Sequence, residues 1–80
     1  MLLHRHWLET ELTSDELSML IYIAQQNCEM NVDIVILQGF RLPRLIKKLQ
    51  QCEAQVNEEG KEIYQSLRKK LLDFTNLQLL

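Results

Sequence analysis

Glycine and proline are nearly missing from this 80-residue chain, which has two Gly and one Pro. That scarcity argues against a turn-rich sandwich or barrel and against a disordered linker, since both draw heavily on these residues. Cysteine is scarce as well. Cys28 and Cys52 have no second pair around them and no CxxC spacing, so neither a disulfide framework nor a zinc knuckle is indicated and both read as free thiols. Long apolar runs are absent. No stretch approaches the roughly 18 residues of a membrane span, and Met1-Leu2-Leu3 gives way to His4, Arg5 and His6 before a signal-peptide core develops. The expectation is a cytoplasmic chain with no membrane partner. There is also no Gly-rich phosphate loop, no nucleophile elbow and no Cys-His-acid grouping, so the expectation is no enzyme and no cofactor. His4 and His6, with no third ligand, are too little for a metal site.

What is present is apolar and charged. A hydrophobic content of 46% with 25% charged residues is the profile of one compact, helix-rich domain spanning 1–80. A monomer of this size buries only roughly 60% of the surface its unfolded chain exposes, so a second copy that adds core is a reasonable expectation. Charge is unevenly distributed about a net −2: residues 1–40 carry one base, Arg5, against six acids, whereas residues 41–80 carry eight bases against five acids. The front is acidic and the back basic.

Thr13 and Glu16 form a capping-box pattern, with Leu12 before the cap and Leu17 after it, which predicts a helix over about 14–26. Its apolar positions cover a wide arc, as expected of a central helix. Residues 32–37 (Val-Asp-Ile-Val-Ile-Leu) admit two readings. Asn31 as cap, Asp33 in the first turn and Gly39 beyond the end favour a helix, whereas the β-branched density favours a strand. Pro43 suits the first turn of a third helix over about 43–51. Cys52 to Val56 alternates weakly and could form one strand. Asn57 caps a last helix, with Glu58 and Glu59 in its first turn. Trp7 is expected to pin the N-terminus to the core.

Short helix, Gly-bearing turn and basic helix, preceded by a core helix and followed by another, is the order of a winged helix-turn-helix domain. The residues Leu45-Ile46-Lys47-Lys48-Leu49 and Val56-Asn57-Glu58-Glu59-Gly60-Lys61-Glu62 resemble the end of the recognition helix and the entry to the last helix in small transcriptional regulators of the multiple-antibiotic-resistance-regulator and phenolic-acid-regulator types. The resemblance covers roughly residues 12 to 74. It implies a mainly α, winged-helix-like fold with a long C-terminal helix, and DNA as partner in transcription regulation. Cys52 to Val56 is all that separates the third helix from Asn57, so the wing should be minimal or absent.

The third helix carries the candidate site. At 100° per residue Leu42, Leu45, Ile46 and Leu49 share one arc, while Arg41, Arg44, Lys47 and Lys48 share the other. Cations in that pattern, with no acid among them, suit phosphate contact, and the resemblance puts DNA before RNA as the partner; an acidic protein surface is the rival. In the rival case the chain is a helical interaction module, a phage-type inhibitor or adaptor. In the nucleic-acid case, reversing Arg44 and Lys48 to Glu should abolish binding without lowering the melting temperature. Ile63, Leu67, Leu71, Phe74 and Leu77 form an apolar seam on the last helix that runs into Leu79 and Leu80, and a homodimer contact over 58–80 is the expectation for it. Arg68-Lys69-Lys70 reads as cations serving the C-terminal end of that helix.

Overall fold

The computed structural model describes residues 4–79, with side chains described as far as Asn76. Its elements are α1 (Arg5–Glu11), α2 (Ser14–Gln25), α3 (Ile34–Leu37), α4 (Leu42–Cys52) and α5 (Lys61–Leu79), with 3-10 turns at Glu53–Gln55 and Glu58–Gly60. The fold is mainly helical, and no strand occurs among the described residues.

The capping box forms as the sequence predicts. Glu16 N donates to Thr13 Oγ1 at 3.1 Å while Thr13 N donates to Glu16 Oε1 at 2.8 Å, which satisfies two otherwise orphaned donors and starts α2. At its other end α2 stops in a turn. Gln26 is extended, Asn27 takes a left-handed φ of 60°, and Cys28 N donates to Gln25 O at 3.1 Å. Asn tolerates that backbone better than a branched residue would.

Residues 32–37 resolve toward the helical reading, though later and shorter than expected. Asp33, rather than Asn31, is the cap: its Oδ1 accepts from Ile36 N at 2.9 Å. The delay has a cause in the preceding loop, where the Gln25 side-chain amide takes three backbone partners. Its Oε1 accepts from Val32 N at 2.7 Å, and its Nε2 donates to Met30 O at 2.8 Å and Cys28 O at 3.2 Å. Val32 is thereby held outside the helix with its side chain buried. Gly39 does not adopt the left-handed conformation that a helix-ending glycine commonly takes. A Cβ there would lie 3.3 Å from Ile36 O, so close approach is its constraint.

One further expectation needs correction, and one element goes beyond what the sequence reading predicts. The Cys52–Val56 strand does not form; α4 runs on to Cys52 and passes into a 3-10 turn, so the stub of a wing is absent among the described residues. A helix also precedes α2. α1 follows no strong sequence signal, since His4 at its cap makes no side-chain cap bond, and it is held by packing: Leu8 is fully buried and Trp7 lies 4.8 Å from Phe74 between ring centroids. Trp7 thus pins the N-terminal helix to the core.

The core lies where α2, α4 and α5 pack on one another. Leu20 and Ile23 from α2, Leu42, Leu45 and Leu49 from α4, and Leu67 and Leu71 from α5 are each at most 2% exposed. Each such side chain contributes roughly 1.5–3 kcal/mol by leaving water. Two polar ties cross this core. Tyr64 Oη donates to Leu49 O at 2.9 Å, and Glu16, only 2% exposed, accepts from Ser66 Oγ and from Lys70 Nζ, each at 2.6 Å. Burial opposes ionisation of Glu16, yet the bonds from Lys70, Ser66 and Thr13 outweigh it and lower its pKa from 4.5 to about 2.

Candidate nucleic-acid interface

α4 separates its side chains as the periodicity requires. Leu42, Leu45, Leu49 and Cys52 are buried, while Pro43, Arg44, Lys47, Gln50 and Gln51 are exposed. Pro43 sits in the first turn, and Arg41, extended and exposed, is the N-cap, its carbonyl accepting from Leu45 N at 3.1 Å. Arg41, Arg44 and Lys47 therefore stand in solvent along one side of one helix. The ion pairs among the described residues are Arg5–Glu9, Lys61–Glu58 and Lys70–Glu16, so none of the three cations is paired with a carboxylate.

Lys48 is different, and its assignment to the phosphate-facing set is corrected. It is half-buried, and its Nζ donates to Ala24 O and Gln26 O, both at 2.9 Å, at the C-terminal end of α2. That end has no basic residue in its own last turn, and Cys28 N bonds to Gln25 O rather than Ala24 O. A cation from α4 therefore meets carbonyls that the helix cannot satisfy itself, at its negative pole. Reversal of Lys48 to Glu would place a carboxylate against those carbonyls, so the double reversal with Arg44 would lower the melting temperature after all. Sequence periodicity could not separate Lys48 from Lys47, because the distinction depends on which neighbouring helix lies beside the cationic arc.

Phe40, half-buried just before α4, connects the two kinds of cation. Lys48 Nζ lies 5.1 Å from its ring centroid and Arg44 Cζ 5.7 Å. Both distances fall within cation–π range, so the ring holds the Arg44 guanidinium over its face while Arg44 as a whole stays exposed. Gln50 and Gln51, which sequence reasoning passed over, extend the exposed face beyond Lys47 with uncharged groups able to donate and accept hydrogen bonds.

The apolar seam on α5 lies elsewhere than expected. Leu67 and Leu71 are fully buried and Phe74 is 7% exposed, all within the chain's own core, and Ile63 is half-buried. Joining two copies through these residues would require opening the core that α2 and α4 already fill. The side chain of Leu77 lies outside the described residues, as do those of Leu79 and Leu80. Arg68, Lys69 and Lys70 sit in mid-helix, because α5 continues to Leu79; Arg68 and Lys69 are exposed, while Lys70 serves the buried Glu16. His4 and His6 stand exposed at the start of α1. No helix is long and apolar enough to cross a membrane, and no group of three or more metal-ligating side chains converges among the described residues.

Comparison with protein-family models, curated proteins and solved structures finds no match to this chain.

Proposed function

We propose that this protein binds nucleic acid through the exposed face of α4, with Arg41, Arg44 and Lys47 on phosphates and the Gln50 and Gln51 amides within reach of groove edges. The observation that carries this reading is three solvent-facing cations on one helix, none paired with a carboxylate among the described residues, on a chain whose net charge is −2. Local potential governs such binding more than net charge does. The order α2, α3, α4 also supports a helix-turn-helix arrangement in which α4 is the docking helix. In this reading the protein is a small wingless DNA-binding module, and site-specific docking by the amides would make it a regulator of transcription.

Three phosphate contacts predict a slope of roughly −2.7 in log affinity against log salt for duplex DNA, at about −0.9 per contact. Affinity for a short duplex should then fall by about 40-fold between 50 and 200 mM salt. Fluorescence anisotropy at the two salts, on the wild type and on Arg41→Glu/Arg44→Glu/Lys47→Glu, tests this. The triple reversal should abolish binding and leave the fold intact, because all three side chains are exposed. Binding that survives the reversal, or that is indifferent to salt, refutes the proposal.

A further inference from the structure

Beside the cationic face lies an apolar surface that phosphate binding does not use. Only Tyr22, Met30 and Val35 are large hydrophobics left exposed among the described residues, and two of these, Met30 at 54% and Val35 at 60%, line one groove. The groove is formed by the loop after α2, by α3 and by the start of α4, with Cys28, Ile36 and Phe40 as its apolar floor and a volume of about 430 Å³. That is within the range of concavities that hold apolar ligand groups. Arg44 is the single charged residue in its lining, and Arg41 stands exposed at the same end.

We infer that this groove docks a short acidic, amphipathic segment of a partner protein, its aliphatic side chains on Met30, Val35 and Ile36 and its carboxylate on Arg44. Charge complementarity selects the sign: the groove presents one guanidinium, held over the Phe40 ring at 5.7 Å, and no carboxylate of its own lining to answer it. Glu29 and Asp33 stand in the adjoining chain outside the lining, and Asp33 is already engaged in capping α3. The apolar surface selects the rest. Nucleobases prefer aromatic platforms, whereas Met30, Val35 and Ile36 are aliphatic, and the one aromatic ring present is flanked by this chain's own cations. A second copy of the chain is a poor occupant, since its own apolar–acidic stretches, around Leu8 and Leu12 in the first half, are buried in its core. An apolar stripe with flanking acids, presented at helical spacing, fits the site. Arg44 serves both this groove and the proposed phosphate contacts, whereas Met30, Val35 and Ile36 serve the groove alone.

A randomised peptide library displayed on phage, selected on the full chain and subtracted on Met30→Asp/Val35→Asp, tests it. Enriched peptides should carry two or more aliphatic residues with an acid within one helical turn. A synthetic copy of the winning peptide should bind at least tenfold more weakly to Arg44→Glu and to the double variant, and its chemical-shift changes on the labelled protein should fall within residues 28–44. Both substituted apolar positions are exposed, so the variants should keep the wild-type melting temperature. No enrichment over the subtracted variant, enrichment of peptides without acids, or shifts centred elsewhere would overturn the inference. So would a duplex affinity lost in an uncharged Met30→Ser/Val35→Ser protein, which would put nucleic acid in the groove instead.

Discussion

Glu16 is a carboxylate almost wholly withdrawn from water, and its removal should cost a large part of this protein's stability. Its pKa falls from 4.5 to about 2 on folding, which at 1.36 kcal/mol per unit corresponds to about 3 kcal/mol. An 80-residue domain is stable by roughly 4–12 kcal/mol, so this one group matters greatly. The folded carboxyl holds its proton less tightly than the unfolded one. Its contribution is therefore complete above about pH 5, declines as the pH drops below 4.5, and is gone near pH 2. Glu16→Gln should destabilise the protein by about 3 kcal/mol at pH 7, lowering the melting temperature by roughly 10–25 °C. It leaves Lys70 without its partner, but that side chain is 35% exposed and can turn to water, which keeps the cost at the low end for a broken buried pair. Urea unfolding followed by circular dichroism, on wild type and variant between pH 7 and pH 2.5, measures the difference directly. The two proteins should converge in stability as the pH falls. A gap that stays constant across that range, or a carbon-detected titration placing Glu16 among ordinary carboxylates, would refute the account of how α2 is fastened to α5.

Substitutions at three further positions probe single local features. Lys48→Met removes a charged donor from two carbonyls at the end of α2 and should cost about 1.5–3 kcal/mol by thermal melting, while Lys47→Met, one residue away and exposed, should stay within about 0.5 kcal/mol. Equal effects at the two positions would contradict the division of labour on α4. Asn27→Ala should destabilise by about 1 kcal/mol because its φ is 60°, whereas Asn27→Gly should be neutral or slightly stabilising; a harmless Ala variant would mean that the turn relaxes to another backbone.

Local signals were legible from the residues alone wherever the physics is local. The Thr13–Glu16 box, Pro43 in a first turn and the two arcs of α4 all depend on groups within one or two helical turns, and each appears in the structure; Asn57 caps too, but on the 3-10 turn Glu58–Gly60 that precedes α5 rather than on α5 itself. The short chain between α4 and Asn57 leaves no room for a full wing, and its one candidate strand is replaced by the end of α4 and a 3-10 turn. Residues 32–37 were ambiguous because β-branched density and capping signals conflict there. The start of α3 was settled by Gln25, whose amide reaches across the loop and leaves no local mark.

What the amino-acid order determined is which faces are apolar, where helices begin, and that a cationic stripe exists at all. The tertiary packing decided how those faces are spent. The seam on α5 looked like a surface for a second copy because periodicity records that a face is apolar and not what covers it; here α2 and α4 cover it. Lys48 looked equivalent to Lys47 for the same reason, until the end of α2 came to lie beside it and drew its ammonium onto two carbonyls. Glu16 was legible as a cap, but its burial and its bond to Lys70 join residues far apart in sequence. A periodic pattern orders side chains around one helix; only contact between helices assigns each of them to core, to a neighbour's terminus or to solvent.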